Sequence, residues 1–178
     1  MMVTISNYMH SKLIKHITDA INSNIPVSII LDSTTDMKGS HHLIVYFRTL
    51  EVDQVSENPG ACQETPRVYF YKLIPIGMDE TANGYFETLS NSIKGIEPGA
   101  ENSQYSSPEH EMNLYDVLKT KLRGFSSDGA SVMLGKKNGL AKIIQERFAT
   151  HKVFTIHCMA HRLQLAIGNT VVFSYFNF

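Results

Sequence analysis

At 178 residues the chain is long enough to bury one sizeable core, and its length suits a single domain. Hydrophobic content of 43% and charge of 19% are ordinary for a globular fold in water. Sixteen Lys and Arg against 17 Asp and Glu leave a net charge of -1, which argues against a domain that grips nucleic acid by bulk positive charge and leaves room only for a local basic patch.

Two cysteines, Cys62 and Cys158, are too few for a disulfide framework and suit a reducing compartment. No apolar run reaches the roughly 18 residues of a membrane helix, so no membrane partner is expected. Met1 to Tyr8 lacks a basic stretch followed by an apolar one, so no secretory leader is expected either.

In chain order, residues 6–24 read as an amphipathic helix. Leu13, Ile17 and Ile21 recur at four-residue spacing with Ile14 beside them, and lysines fill the other face. Pro26 closes that helix, because proline disfavours helical geometry in the residue before it. Val27 to Leu31 is a short apolar, β-branched strand that emerges at Asp32. A second strand is predicted over 41–51, a polar loop carrying Cys62 over 52–66, and a third strand over 68–76. A helix over 81–96 follows, with Phe86, Leu89, Ile93 and Ile96 on one face. After a polar loop over 98–107, Ser107, Pro108 and Glu109 form a strong helix start. A strand over 122–127 closing on Asp128, a helix over 139–148, a strand over 153–156 and a helix over 159–169 complete the order. Three consecutive strands followed by strand–helix alternation imply an α/β fold, a mixed sheet with helices on both faces.

Asp32 and Asp128 are candidates of one kind, each closing a strand and each followed by small or hydroxyl residues. Taken singly, an Asp in such a place is a turn former, because its carboxylate bonds nearby backbone. If the strands are neighbours, the two carboxylates converge, and paired hard oxygen ligands suit Mg²⁺ or Mn²⁺ in phosphodiester chemistry. Lys136 and Lys137, between Gly135 and Gly139, do not fit a P-loop and read first as a flexible turn leading to a helix, from which the two lysines could still meet a phosphate backbone. Cys158 and His161 stand three apart at a helix start, where both can face one point. Without a second Cys/His pair they make no zinc site, so no zinc is expected, and no base or oxyanion arrangement supports a nucleophilic cysteine.

Ile30-Leu-Asp-Ser-Thr-Thr-Asp36, Gly124-Phe-Ser-Ser-Asp-Gly-Ala-Ser-Val-Met133, Gly135-Lys-Lys-Asn-Gly139 and Ile156-His-Cys-Met-Ala-His-Arg-Leu163 together resemble the hAT-superfamily transposases and the nuclear proteins derived from them. The resemblance covers about Pro26 to Asn169 and implies a ribonuclease-H-like mixed sheet flanked by helices, incomplete at its C-terminus. It divides the chain into a helix over 1–25, a partial catalytic domain over 26–170 and an atypical aromatic tail over 171–178. It also implies catalytic, metal-binding roles for Asp32 and Asp128, with Cys158 and His161 beside the active site and Mg²⁺ or Mn²⁺ as the only cofactor. DNA is the implied partner of the parent family, and the nucleus the implied location.

The family's third carboxylate lies on a far-downstream helix, and Glu146 does not stand in for it by position. The resemblance therefore implies a truncated domain without strand cleavage of its own, with Asp32 and Asp128 vestigial. The alternative is a domesticated nuclear module that contacts other proteins, as in transcriptional repression or SUMO transfer.

Overall fold

Alternation sets the layers. In the computed structural model, which describes Tyr8, Ser11, Lys12, Lys15 and residues 25–54, 62–95, 108–159, 161–163, 165 and 166, the central strand β1 (Val27–Thr35) buries Val27, Ile29 and Leu31. Ser28, Ile30 and Asp32 turn to the opposite face, as period-two geometry requires. β1 pairs antiparallel with β2 (His41–Gln54), and β2 pairs antiparallel with β3 (Cys62–Pro75). On its other side β1 pairs in parallel with β4 (Leu122–Ser127), which pairs in parallel with β5 (Phe154–His157). The resulting five-stranded mixed sheet, in the order β3-β2-β1-β4-β5 and flanked by helices, is the expected ribonuclease-H-like α/β arrangement.

The helices of the core lie on one face. Helix α1 (Ala82–Ile93) is capped by Thr81, whose hydroxyl accepts from the Gly84 amide, and it buries Tyr85, Phe86, Leu89 and Ile93. Helix α2 (Pro108–Lys121) adds Leu114, Val117 and Leu118. A short helix α3 (Ser131–Leu134) precedes α4 (Leu140–Ile143), which runs on as a π-helical turn over Ile144–Phe148. Their apolar side chains join Ile29, Leu43, Val45, Phe47 and Phe125 in one core. Gln145 ties the π turn to the next strand, accepting from the Val153 amide at 2.6 Å and donating to the His151 carbonyl at 3.1 Å. Among the described residues, the helices expected on the second face of the sheet do not appear. The predicted N-terminal helix lies outside the described residues, apart from four exposed positions at Tyr8, Ser11, Lys12 and Lys15.

Several boundaries differ from expectation, each for a pairing reason. β1 continues four residues past Leu31, through Asp32 to Thr35, because Thr35 pairs with His41 in a hairpin with β2. Asp36 makes that turn, its carboxylate accepting from the Lys38 and Ser40 amides at 2.8 Å each. Those backbone donors, the Ser40 amide first, hold the Asp36 carboxyl below its ordinary range. β2 and β3 also run further than their apolar centres, to Gln54 and back to Cys62, so Cys62 opens a strand instead of sitting in a loop. The polar outer stretch is held in this ladder by cross-strand pairing, including the Arg67–Glu51 ion pair at 3.1 Å.

The core makes a direct stability prediction. Phe47, fully buried at the centre of β2, should lose about 3–5 kcal/mol of unfolding free energy on change to Ala. Met37→Ala, in the exposed hairpin turn, should stay within about 0.5 kcal/mol. Equal losses in urea melts of the two variants would contradict this layering.

Candidate metal site at the carboxyl ends of the parallel strands

Parallel pairing puts like ends of strands together. Ile30 pairs with Ser126; Asp32 stands two residues further along β1, which continues to Thr35, and Asp128 two residues past Ser126, just after β4 ends, so both lie on the carboxyl side of the parallel pairing. Neighbouring strands run about 4.8 Å apart. The register continues outward: Asp32 pairs with Ile44 on one side, and beyond Asp128 the Cys158 amide donates to the Ser127 carbonyl at 2.7 Å, extending the β4–β5 ladder by one step.

The two aspartates differ in setting. Asp32 is a strand residue with an exposed side chain, so the turn role that its neighbours suggest belongs to Asp36. Asp128 is half-buried and does shape a turn, its Oδ1 accepting from the Ala130 amide at 3.2 Å and its carbonyl from the Ser127 hydroxyl at 3.0 Å. From the core side, Tyr85 of α1 feels Asp128. Burial, then the charge of Glu80, then that of Asp128 push the Tyr85 hydroxyl above its ordinary value of 10.

His157 ends β5 beneath this turn. A Cβ on Gly129 would lie 2.4 Å from its Cε1, so the turn after Asp128 closes over the ring only because residue 129 has no side chain. His157 Nε2 is buried and meets no hydrogen-bond partner among the described residues. The His157 and His161 rings stand 5.8 Å apart, tilted by 38°. Cys158 and His161 are both half-buried, and the Arg162 amide donates to the Cys158 carbonyl at 3.1 Å, which starts the helical turn that carries His161. The ring beside His161 is thus His157, which the sequence reading placed just past the strand over 153–156 and gave no role. Its signal was the four-residue interval to His161. Lys136 and Lys137 are exposed at the tip of a tight turn between α3 and α4, closed by the Gly139 amide on the Gly135 carbonyl at 2.9 Å.

Among the described residues, no three His, Cys, Asp or Glu side chains gather closely enough to form a metal-binding group. The oxygen donors of Asp32 and Asp128 fit a hard divalent cation in kind and in strand position, as a pair and not as a full ligand set. No protein-family model and no solved structure matches the chain.

Two outcomes test this geometry. Asp128→Asn removes one of the charges that raise the Tyr85 hydroxyl, so its titration midpoint should fall in ultraviolet difference spectra read against Tyr85→Phe. An unmoved midpoint would place Asp128 away from Tyr85. Because the folded value is raised, the Tyr85 contribution to stability is whole below pH 10 and is lost as pH climbs through the folded value, so Tyr85→Phe should flatten the loss of stability in that alkaline window. Gly129→Ala should displace the His157 ring, seen as a shift of its imidazole proton resonances.

Proposed function

We propose that the chain is a hAT-transposase-derived, ribonuclease-H-like domain whose Asp32 and Asp128 take a divalent cation without supporting strand cleavage by themselves. The observation that carries this reading is the shared register of the two aspartates, each two residues past the Ile30–Ser126 pair on adjacent parallel strands. Open α/β sheets bind ligands at the carboxyl ends of their strands, which is where this pair stands. The four sequence motifs supply the second support, since both aspartates fall within them.

In this reading Asp32 offers its carboxylate from a rigid central strand, paired on both sides, so little entropy is lost in presenting it. Asp128 contributes from a turn fixed by its own bond to the Ala130 amide. A bound Mg²⁺ or Mn²⁺ would polarise a phosphodiester and lower the pKa of a coordinated water. His157, which pairs with Ser127, stands one residue before the row of Asp32, Asp128 and Cys158, and His161 stands in the helical turn beyond it, where the two rings flank the strand ends. Lys136 and Lys137 supply positive charge for a phosphate backbone. Among the described residues no third ligand of the same kind joins the two carboxylates, and a pair alone holds such an ion weakly, which is why cleavage is not expected.

The test uses Mn²⁺ as a paramagnetic probe. Line broadening in amide spectra should centre on Asp32, Ser33, Asp128 and Gly129, and Asp32→Asn should weaken binding about tenfold or more, equivalent to about 1.4 kcal/mol. On a labelled DNA duplex with Mn²⁺, no cleavage above the Asp32→Asn background is expected. Broadening centred elsewhere would remove the site, and cleavage that vanishes in Asp32→Asn would show an active nuclease instead.

A further inference from the structure

Among the described residues, the face of the sheet opposite the core carries exposed apolar side chains. Register places Val68, Arg48, Ser28, Gly124 and Phe154 in one row across it, and Phe70, Tyr46, Ile30, Ser126 and Ile156 in the next. A third row runs from Leu73 through Ile44 to Asp32. Gly124 belongs to this face because a Cβ there would meet the Ser28 hydroxyl at 2.4 Å. Val68, Phe70, Leu73, Phe154 and Ile156 are 47–62% exposed, and the Phe70 ring meets Tyr46 edge-on at 5.7 Å. Antiparallel sheets tolerate a wet face, but parallel strands such as β1, β4 and β5 are ordinarily covered on both. A contiguous apolar patch of this kind marks a contact surface.

We infer that the chain's own segment 6–24 covers this face, laying Leu13, Ile14, Ile17 and Ile21 across the rows of Ile30, Tyr46, Phe70 and Ile156. Three observations select it over other occupants. Tyr8, Ser11, Lys12 and Lys15, spaced three and four apart, have helical backbone and are exposed, so they mark the water-facing side of a helix. A helix continued at 100° per residue through the segment would set Leu13, Ile14, Ile17 and Ile21 on the opposite side. Only Ile25 and Pro26 separate the segment from β1, the central strand, so it is tethered beside the surface and binds at high effective concentration. A helix of nineteen residues would span about 28 Å, enough to cross five strands spaced about 4.8 Å. The cover leaves Asp32 at the margin of the patch, and the inference does not depend on any cation there.

Photo-crosslinking of the whole chain tests it, with benzoylphenylalanine in place of Phe70 in one sample and Phe154 in another. Both positions are more than half exposed and accept the larger ring without entering the core. Mixed light and ¹⁵N-labelled chains separate contacts within a chain from contacts between chains. The expected product is a peptide from residues 6–24 joined to the probe of the same chain, lost in Ile17→Asp and kept in Lys15→Asp. A probe joined to residues 159–178, joined to a second chain, or joined to no peptide of 6–24 would overturn the inference. Persistence of the 6–24 product in Ile17→Asp would overturn it as well, since the apolar stripe would then not be the contacting side.

Discussion

The parallel pairing of β1 with β4 is the contact on which the rest of the molecule depends. It joins an antiparallel three-stranded unit, which local hairpins can build alone, to a pair of strands that arrive after a long helical crossover. Ile29 opposite Phe125 seals the joint on the core side, under α1 and the π turn. On the other side Gly124 lets β4 lie against Ser28, where any Cβ would collide with the serine hydroxyl. Because the pairing is parallel, both strands emerge at the same end, and two acidic residues distant in sequence become neighbours. A shift of one residue in that register would turn Asp32 or Asp128 to the opposite face.

Burial is divided unequally between the two faces of the sheet. Helices α1, α2 and α4 with the π turn fill one side with aliphatic and aromatic side chains, and the opposite side presents aromatic residues that the described helices do not reach. Such asymmetry is tolerable around β2 and β3, whose antiparallel ladder is long and cross-linked by side-chain pairs. Around β5, a four-residue edge strand with Phe154 and Ile156 exposed, it leaves little burial to hold the strand besides its ladder with β4. His157, wedged under Gly129 with a buried and unpartnered ring nitrogen, adds a polar atom whose desolvation costs about 1–3 kcal/mol unless something meets it. The thin burial thus concerns β5 and the His157 end of the sheet, beside the turn that carries Asp128, and not the central strand that carries Asp32.

Much of this was legible in the residues. The strand Leu122–Ser127 and the helix Ala82–Ile93 appear where the apolar pattern placed them, since both are decided locally. The strand-then-acid pattern picked out Asp32 and Asp128, and the order of elements implied a mixed sheet. Long-range pairing was hidden. Nothing local says that Asp32 to Thr35 continue a strand, because the partner that extends them, His41 to Ile44, lies across a turn. Cys62 to Arg67 look like loop residues by composition, and become strand only because β2 offers a matching edge. The short α3 and the π turn also escaped, being set by tight packing around Gly135 and Gly139 and by the Gln145 clamp. His157 escaped for the same reason: its neighbours Gly129 and His161 meet it only in the fold.

The central claim is that two strand ends bring Asp32 and Asp128 to one hard cation. An anomalous diffraction map of crystals soaked in Mn²⁺ tests it most directly. The account predicts a manganese peak bridged by the Asp32 and Asp128 carboxylates, absent in crystals of Asp128→Asn. A peak at other residues only, or carboxylates held at separate ends of the sheet, would contradict it.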